Sequence, residues 1–224
     1  MNQSDDLIIL ICFFVLGIIV AGIDALRFYS KPLVRKEIVD FLKGRWVALF
    51  AGGGGAGFFV RYWSKSGPPL VVRDEKDLTT MLSRFRGINP RTIYGSVNIY
   101  RTLSKRSDVD SPDNIEYCTP TWDIDGSVDY WRSVVEVARI IVDALEREGV
   151  ADSVYLKWSG RGIHIHIHEK AISEDLRSKY NPLDLAYSIV EYILKKCGDA
   201  ILEVARNVRG GERPLRVENE MDMK

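Results

Sequence analysis

The sequence is short of the features that announce the commonest small-protein functions. It has three cysteines, Cys12, Cys118 and Cys197, far apart and without a CxxC pair. That excludes a disulfide framework and a zinc knuckle, and makes a reducing intracellular compartment the default. Net charge is absent too, with 31 Lys and Arg against 31 Asp and Glu. No global basic field points to nucleic acid, although a local basic groove survives when acids elsewhere cancel the sum. Repeats and low-complexity tracts are missing. Histidine is scarce, and all three copies, His164, His166 and His168, fall in one short stretch. What remains is ordinary globular composition in 224 residues, room for one compact domain and an appendage.

The N-terminus departs from that composition. Leu7 to Ile23 carries no Lys, Arg or Glu and is mostly apolar. It sits at the short end for a membrane-spanning helix. Asp5 and Asp6 precede it, while Arg27, Lys31, Arg35 and Lys36 follow. A signal peptide has the opposite polarity. The flanks fit an uncleaved anchor that leaves the rest of the chain in the cytoplasm, on the cytoplasmic face of the membrane. The alternative is a buried core helix. The anchor reading makes residues 1–30 a separable hydrophobic helix and 31–224 the folded domain, and expects a chain starting near Tyr29 to stay folded.

Periodicity then predicts a helix over Val34–Lys43, strands over Arg45–Phe50 and Gly57–Trp63, a short strand over Pro68–Val72 and a helix over Asp74–Phe85 capped by Asp74. The glycine-rich Ala51–Gly57 link runs from strand to strand and lacks lysine, so it reads as a hairpin loop and not as a phosphate cradle. Arg91–Arg101 reads as a strand and Ser104–Asn114 as a loop. Cys118–Asp125 is a strand ended by Gly126. Asp129–Glu148 is a long amphipathic helix with Val134, Val137, Ala138, Ile141 and Leu145 on its apolar stripe. Strands over Ser153–Trp158 and Ile163–His168 flank the SGRG turn, and Pro182–Lys196 is a helix. The expected class is α+β, a split βαβ arrangement with helices on one face of a sheet.

Two constellations carry chemistry. In Thr121-Trp122-Asp123-Ile124-Asp125-Gly126, alternation puts Asp123 and Asp125 on one face of a strand and Trp122 and Ile124 on the other. Two neighbouring carboxylates repel unless a cation lies between them, and oxygen donors suit Mg²⁺ or Mn²⁺. Two solvated acids at a strand edge are the bland alternative. In Ser159-Gly160-Arg161-Gly162-Ile163-His164-Ile165-His166-Ile167-His168, the isoleucines bury one face and the histidines line the other. His164 and His168 are about 13 Å apart along a strand, so one zinc cannot take all three, although an HxH pair can bind it. Ser159 with two glycines makes a tight turn with free backbone N–H groups, and Arg161 adds positive charge, a combination suited to phosphate.

The hDhD motif, a helix of about twenty residues and a strand ending in SGxGhH together resemble the archaeo-eukaryotic primase superfamily, closest to the archaeal small catalytic primase subunit. The matching residues are Asp123, Asp125, Ser159, Gly160, Gly162 and His164, and the likeness spans roughly Arg91 to Lys224. It implies an RRM-like primase catalytic sheet with helices packed on it, preceded here by the N-terminal hydrophobic helix. It further implies two divalent metals on the acids, and a histidine on the phosphates of a nucleoside triphosphate. The third family acid is best matched by Asp222 after Met221, with Glu218 and Glu220 as rivals. The family's following basic segment and its zinc knuckle have no counterpart, so the domain reads as incomplete at its C-terminus.

The resulting expectation is a nucleotidyltransferase that makes primers on a DNA template. Asp123, Asp125 and Asp222 hold the metals, while Ser159, Gly160, Arg161, Gly162 and His164 hold the nucleotide. Lys157, Arg206, Arg209, Arg213 and Arg216 are candidate template contacts, and a large primase subunit is a candidate partner. A primase-like binding module without turnover and a His164–His166 metal protein are the alternatives. All versions of the primase reading require Asp123, Asp125 and His164 to meet on adjacent strands, joined through a parallel crossover helix.

Overall fold

The computed structural model describes residues 25–53, 56–208 and 214–219. The Leu7–Ile23 run, Glu220, Met221, Asp222, Arg209 and Arg213 lie outside the described residues. The chain is mixed α+β, with two four-stranded antiparallel sheets. Within the stretch 31–224 the chain divides between Cys118 and Thr119 into two compact units, each with its own core.

The first unit holds α1 (Ala25–Tyr29), α2 (Pro32–Leu42), β1 (Arg45–Gly53), β2 (Ala56–Val60), α3 (Glu75–Arg84), β3 (Pro90–Tyr100) and β4 (Ile115–Cys118). Its sheet order is β2-β1-β3-β4. Gly53 stands opposite Ala56, so the glycine-rich link is a hairpin connection as expected. Asp74 caps α3 by accepting from the Asp77 N–H at 2.8 Å. Val47, Leu49 and Ala51 of β1 turn inward; Val47 and Leu49 pack with Val39, Leu42, Leu78 and Met81 from the helices.

One expectation fails here, and a second meets a packing cost. Pro68–Val72 forms no strand, only isolated bridges at Pro69 and Leu70, because two consecutive prolines remove the ladder donors. A chain starting at Tyr29 would also cut into the core. Tyr29 is buried, its hydroxyl donates to the Arg91 carbonyl at 2.8 Å, and Leu26 and Phe28 pack beside it. Leu26, Phe28 and Tyr29 therefore belong with this unit's core.

The second unit holds β5 (Thr121–Asp125), α4 (Trp131–Arg147), β6 (Val154–Trp158), β7 (Ile163–Ile167), a short α5 (Glu174–Arg177), α6 (Pro182–Asn207) and β8 (Arg216–Asn219). Its order is β6-β7-β5-β8, so the long elements run β-α-β-β-α-β in the split βαβ arrangement. Trp122, Ile124, Ile163, Ile165 and Ile167 bury one face of the sheet against α4 and α6. The helices contribute Val134, Val137, Ala138, Ile141 and Leu145 from α4 and Val190, Ile193, Cys197, Ile201 and Val204 from α6, both at helical spacing. The Trp122 indole donates to the Val190 carbonyl, so its N–H is not lost in the apolar layer. Glu148 ties the end of α4 to α6 through Lys196 at 2.7 Å and the Tyr192 hydroxyl at 2.8 Å.

Three boundaries differ from the sequence reading. The single strand over Cys118–Asp125 is broken at Thr119–Pro120, where proline has no N–H to donate. The last helix runs eleven residues past Lys196, to Asn207, because the apolar stripe continues through Cys197, Ile201 and Val204. Strand β8 was not foreseen.

The buried stripes predict an asymmetric response to truncation. Ile141→Ala should cost about 2–5 kcal/mol of stability, as expected for a wholly buried aliphatic side chain. Leu202→Ala, on the half-exposed side of α6, should stay within about 0.5 kcal/mol. Urea unfolding midpoints at unchanged slope measure both.

Candidate active site

The face of the second sheet turned away from α4 and α6 collects the residues that the two sequence constellations singled out. Directly paired residues in an antiparallel sheet share a face with Cβ atoms about 5 Å apart. Asp123 of β5 pairs with His164 of β7, His164 pairs with Lys157 of β6, and Asp123 pairs on its other side with Glu218 of β8. Lys157, His164, Asp123 and Glu218 thus form one row across all four strands. Asp125 stands one step along β5 on the same face, opposite Arg216. One step the other way, Tyr155, His166 and Thr121 form a second row.

Asp123 and His164 touch: Oδ1 lies 3.3 Å from Nε2, with both side chains about four-fifths buried. The expected adjacency therefore holds, but the parallel crossover does not. Helix α4 carries the chain from β5 to β6, and β7 then returns between them, antiparallel to both. The two-residue SGRG hairpin makes this insertion possible. Gly160 has φ +97°, the glycine position of a type II′ turn.

That turn uses more of its own polarity than the sequence implied. The Ser159 N–H donates to the Gly162 carbonyl at 2.9 Å, and the Ser159 hydroxyl accepts from the Gly162 N–H at 3.1 Å. Gly160 and Arg161 keep the turn's remaining backbone donors. Gly162 has a packing reason as well: a Cβ there would lie 2.1 Å from the Ile124 carbonyl oxygen. Gly126 is likewise required by packing, with a Cβ only 2.6 Å from Val134.

His164 is held neutral. Burial, then the Lys157 ammonium, pushes its pKa from 6.5 down to about 4, and Asp125 pulls the other way without overcoming them. His166 is wholly buried, with Nδ1 at 2.9 Å from the Thr121 hydroxyl and its ring stacked on Tyr155 at 4.7 Å. His168 does not share the face, contrary to the sequence reading. Strand β7 ends at Ile167, and the His168 imidazole accepts from the Lys170 N–H as the cap of a short turn.

The carboxylates Asp123, Asp125 and Glu218 share one face and offer the hard oxygen donors that Mg²⁺ or Mn²⁺ takes, so the donor set fits such a cation in kind. Among the described residues no three His, Cys, Asp or Glu side chains close on one point. Glu218 is instead bonded to Arg216, and Asp123 leans on His164. Thr121 and Tyr155 were missed in the sequence, although the alternation that grouped Asp123 with Asp125 also groups Thr121 with them and Tyr155 with Lys157. Arg206, at the end of α6, is on neither of these rows. No protein-family model matches the chain, and no curated protein matches its sequence.

A neutral, buried His164 makes stability pH-dependent. Above pH 6.5 the imidazole is unprotonated in both folded and unfolded chains, and its contribution is complete. As pH falls from 6.5 toward about 4, the unfolded chain takes up the proton and the folded chain resists it. Stability should drop by up to about 3 kcal/mol across that window. His164→Asn should flatten this slope in urea unfolding followed from neutral to acid pH, and an unchanged slope would count against the buried neutral imidazole.

Proposed function

We propose that this chain is a metal-dependent nucleotidyltransferase of the primase-polymerase kind, with the β5–β8 sheet as an RRM-like catalytic sheet. The observation that carries the reading is the direct pairing of Asp123 with His164, from two motifs forty-one positions apart, on the face turned away from α4 and α6. The reaction is attack of a primer or growing-strand 3′ oxygen on the α-phosphorus of a nucleoside triphosphate. The new P–O bond forms as the bond to pyrophosphate breaks, and the hydroxyl proton passes from the attacking oxygen to solvent water.

Mg²⁺ or Mn²⁺, when bound, would acidify the attacking hydroxyl and offset the charge of the leaving pyrophosphate. Asp123 and Asp125 are the residues to hold it. Glu218 becomes the preferred third acid, because it stands directly opposite Asp123 on β8. Asp222 and Glu220 keep their sequence-level claim only. The neutral His164 is suited to donate an N–H to a phosphate oxygen without adding charge. Lys157 beside it and Arg161 in the turn supply the positive charge that a triphosphate needs. A DNA template and a large subunit remain the partners the primase reading calls for, with residues 7–23 as its membrane anchor on the cytoplasmic side.

A binding module without turnover is the second reading. It is favoured by the Arg216–Glu218 pair and by the lack of a closed three-donor group among the described residues. A His164–His166 zinc protein ranks below both, because His166 is already engaged by Thr121 and Tyr155.

Thermal unfolding with and without Mn²⁺ separates these readings. A cation at a hundred times its dissociation constant should stabilise the protein by about 2.7 kcal/mol. Asp123→Asn and Asp125→Asn should remove that response without unfolding the chain. His164→Ala should keep the metal response and weaken nucleoside triphosphate binding by about 1.5–3 kcal/mol. Primer synthesis on a single-stranded template should vanish in all three variants. Metal binding without any primer synthesis would support the second reading. Tight Zn²⁺ binding indifferent to Asp123→Asn would sink the first two.

A further inference from the structure

The neutral total charge conceals a segregation. Residues 25–118 carry 16 Lys and Arg against 9 Asp and Glu, whereas residues 119–224 carry 15 against 19. The first unit is therefore strongly basic, and the acidic excess lies in the other.

The same unit has a sheet face rich in aromatic rings. Because Val47, Leu49 and Ala51 of β1 turn inward, Trp46, Ala48 and Phe50 turn the opposite way. Register places Phe59 of β2 opposite Phe50, and Tyr94 of β3 opposite Ala48. The rings touch in sequence, Phe50 to Phe59 at 5.1 Å and Phe59 to Tyr94 at 5.4 Å between centroids. Trp46 and Tyr62 form a second pair at 5.5 Å. The helices of this unit pack through the opposite, aliphatic face, and Phe59 remains 42% exposed.

Cations lie on these rings. The Arg61 guanidinium is 4.8 Å from the Phe59 ring centre. The Arg106 guanidinium is 3.5 Å from that of Tyr62 and is fixed there by a hydrogen bond to the Lys65 carbonyl. Rings for bases to stack on, with guanidinium groups beside them for phosphates, are what an unpaired nucleic-acid strand requires. Among the described residues of this unit no helix projects from this face to enter a duplex groove, which favours single strands over double.

We propose that the aromatic face of the β2-β1-β3-β4 sheet binds single-stranded nucleic acid, with bases on Phe59 and Tyr94 and phosphates on Arg61 and Arg106. This would give the template a seat, but it stands on its own observations and not on the Asp123 chemistry.

The test is fluorescence anisotropy of the full chain with a labelled mixed-sequence single-stranded oligonucleotide, its duplex, and phosphatidylserine vesicles as competitor. Single strand should bind more tightly than duplex, and vesicles should not displace it. Phe59→Leu keeps apolar bulk at a half-exposed site and so guards against misfolding, yet it should weaken binding about tenfold or more through the lost stacking surface. Arg61→Gln should lower the slope of log affinity against log salt by about 0.7. Asp123→Asn should bind the strand as the parent does, so that failure of the catalytic reading leaves this result intact. Unchanged affinity in both Phe59→Leu and Arg61→Gln would overturn the proposal. So would vesicles that displace the oligonucleotide and lose their own binding in the same variants, which would make the face a lipid-surface site.

Discussion

The pairing of β5 with β7 is the constraint on which the candidate site depends. It requires a close backbone approach, and Gly162 permits it, since any Cβ there would collide with the Ile124 carbonyl. Once that approach is made, register does the rest. Asp123 falls opposite His164, and Trp122 opposite Ile165 on the buried side. A slip of one residue would exchange these faces, placing carboxylates under the helices and Trp122 in water. The apolar burial that fixes the fold therefore also fixes which charged groups meet.

That arrangement has an electrostatic consequence. The row from Lys157 through His164 and Asp123 to Glu218 runs from basic to acidic across the sheet. His164 sits at the change of sign and stays neutral because burial outweighs the attraction of Asp125. A metal-bound triphosphate has the complementary pattern, cation toward the acids and phosphate oxygens toward the donors. The basic first unit repeats the logic on a larger scale. Its charge is invisible in a whole-chain total because the second unit carries the opposite excess.

Much of this was legible in the sequence, for reasons that also explain the failures. Strict alternation in TWDID and IHIHI announced both strands and their faces, and the stripe of α4 announced its buried side. The split βαβ order followed from these elements alone. Strand β8 was invisible because RVEN is short, charged and held at an edge by pairing with β5, a tertiary effect that local propensity does not encode. The choice among third acids stayed open for the same reason: without β8, nothing set Glu218 opposite Asp123. His168 looked like part of the histidine face until the strand ended one residue before it. The aromatic face of the first unit was present in the residues too. The whole-chain net charge hides its basic surroundings, because the two units carry opposite excesses.

The three histidines offer a direct test of the central claim, that the Asp123–His164 face holds a metal-bound nucleotide. Their ring C–H resonances are few enough to follow one by one as Mn²⁺ and a non-hydrolysable nucleoside triphosphate are added. The account predicts strong paramagnetic broadening of His164, weaker broadening of His166, and the least at His168, which lies beyond the end of β7. It predicts that Asp123→Asn abolishes the broadening of His164. A His164 resonance that stays sharp in the parent chain, or broadens equally in Asp123→Asn, would contradict it.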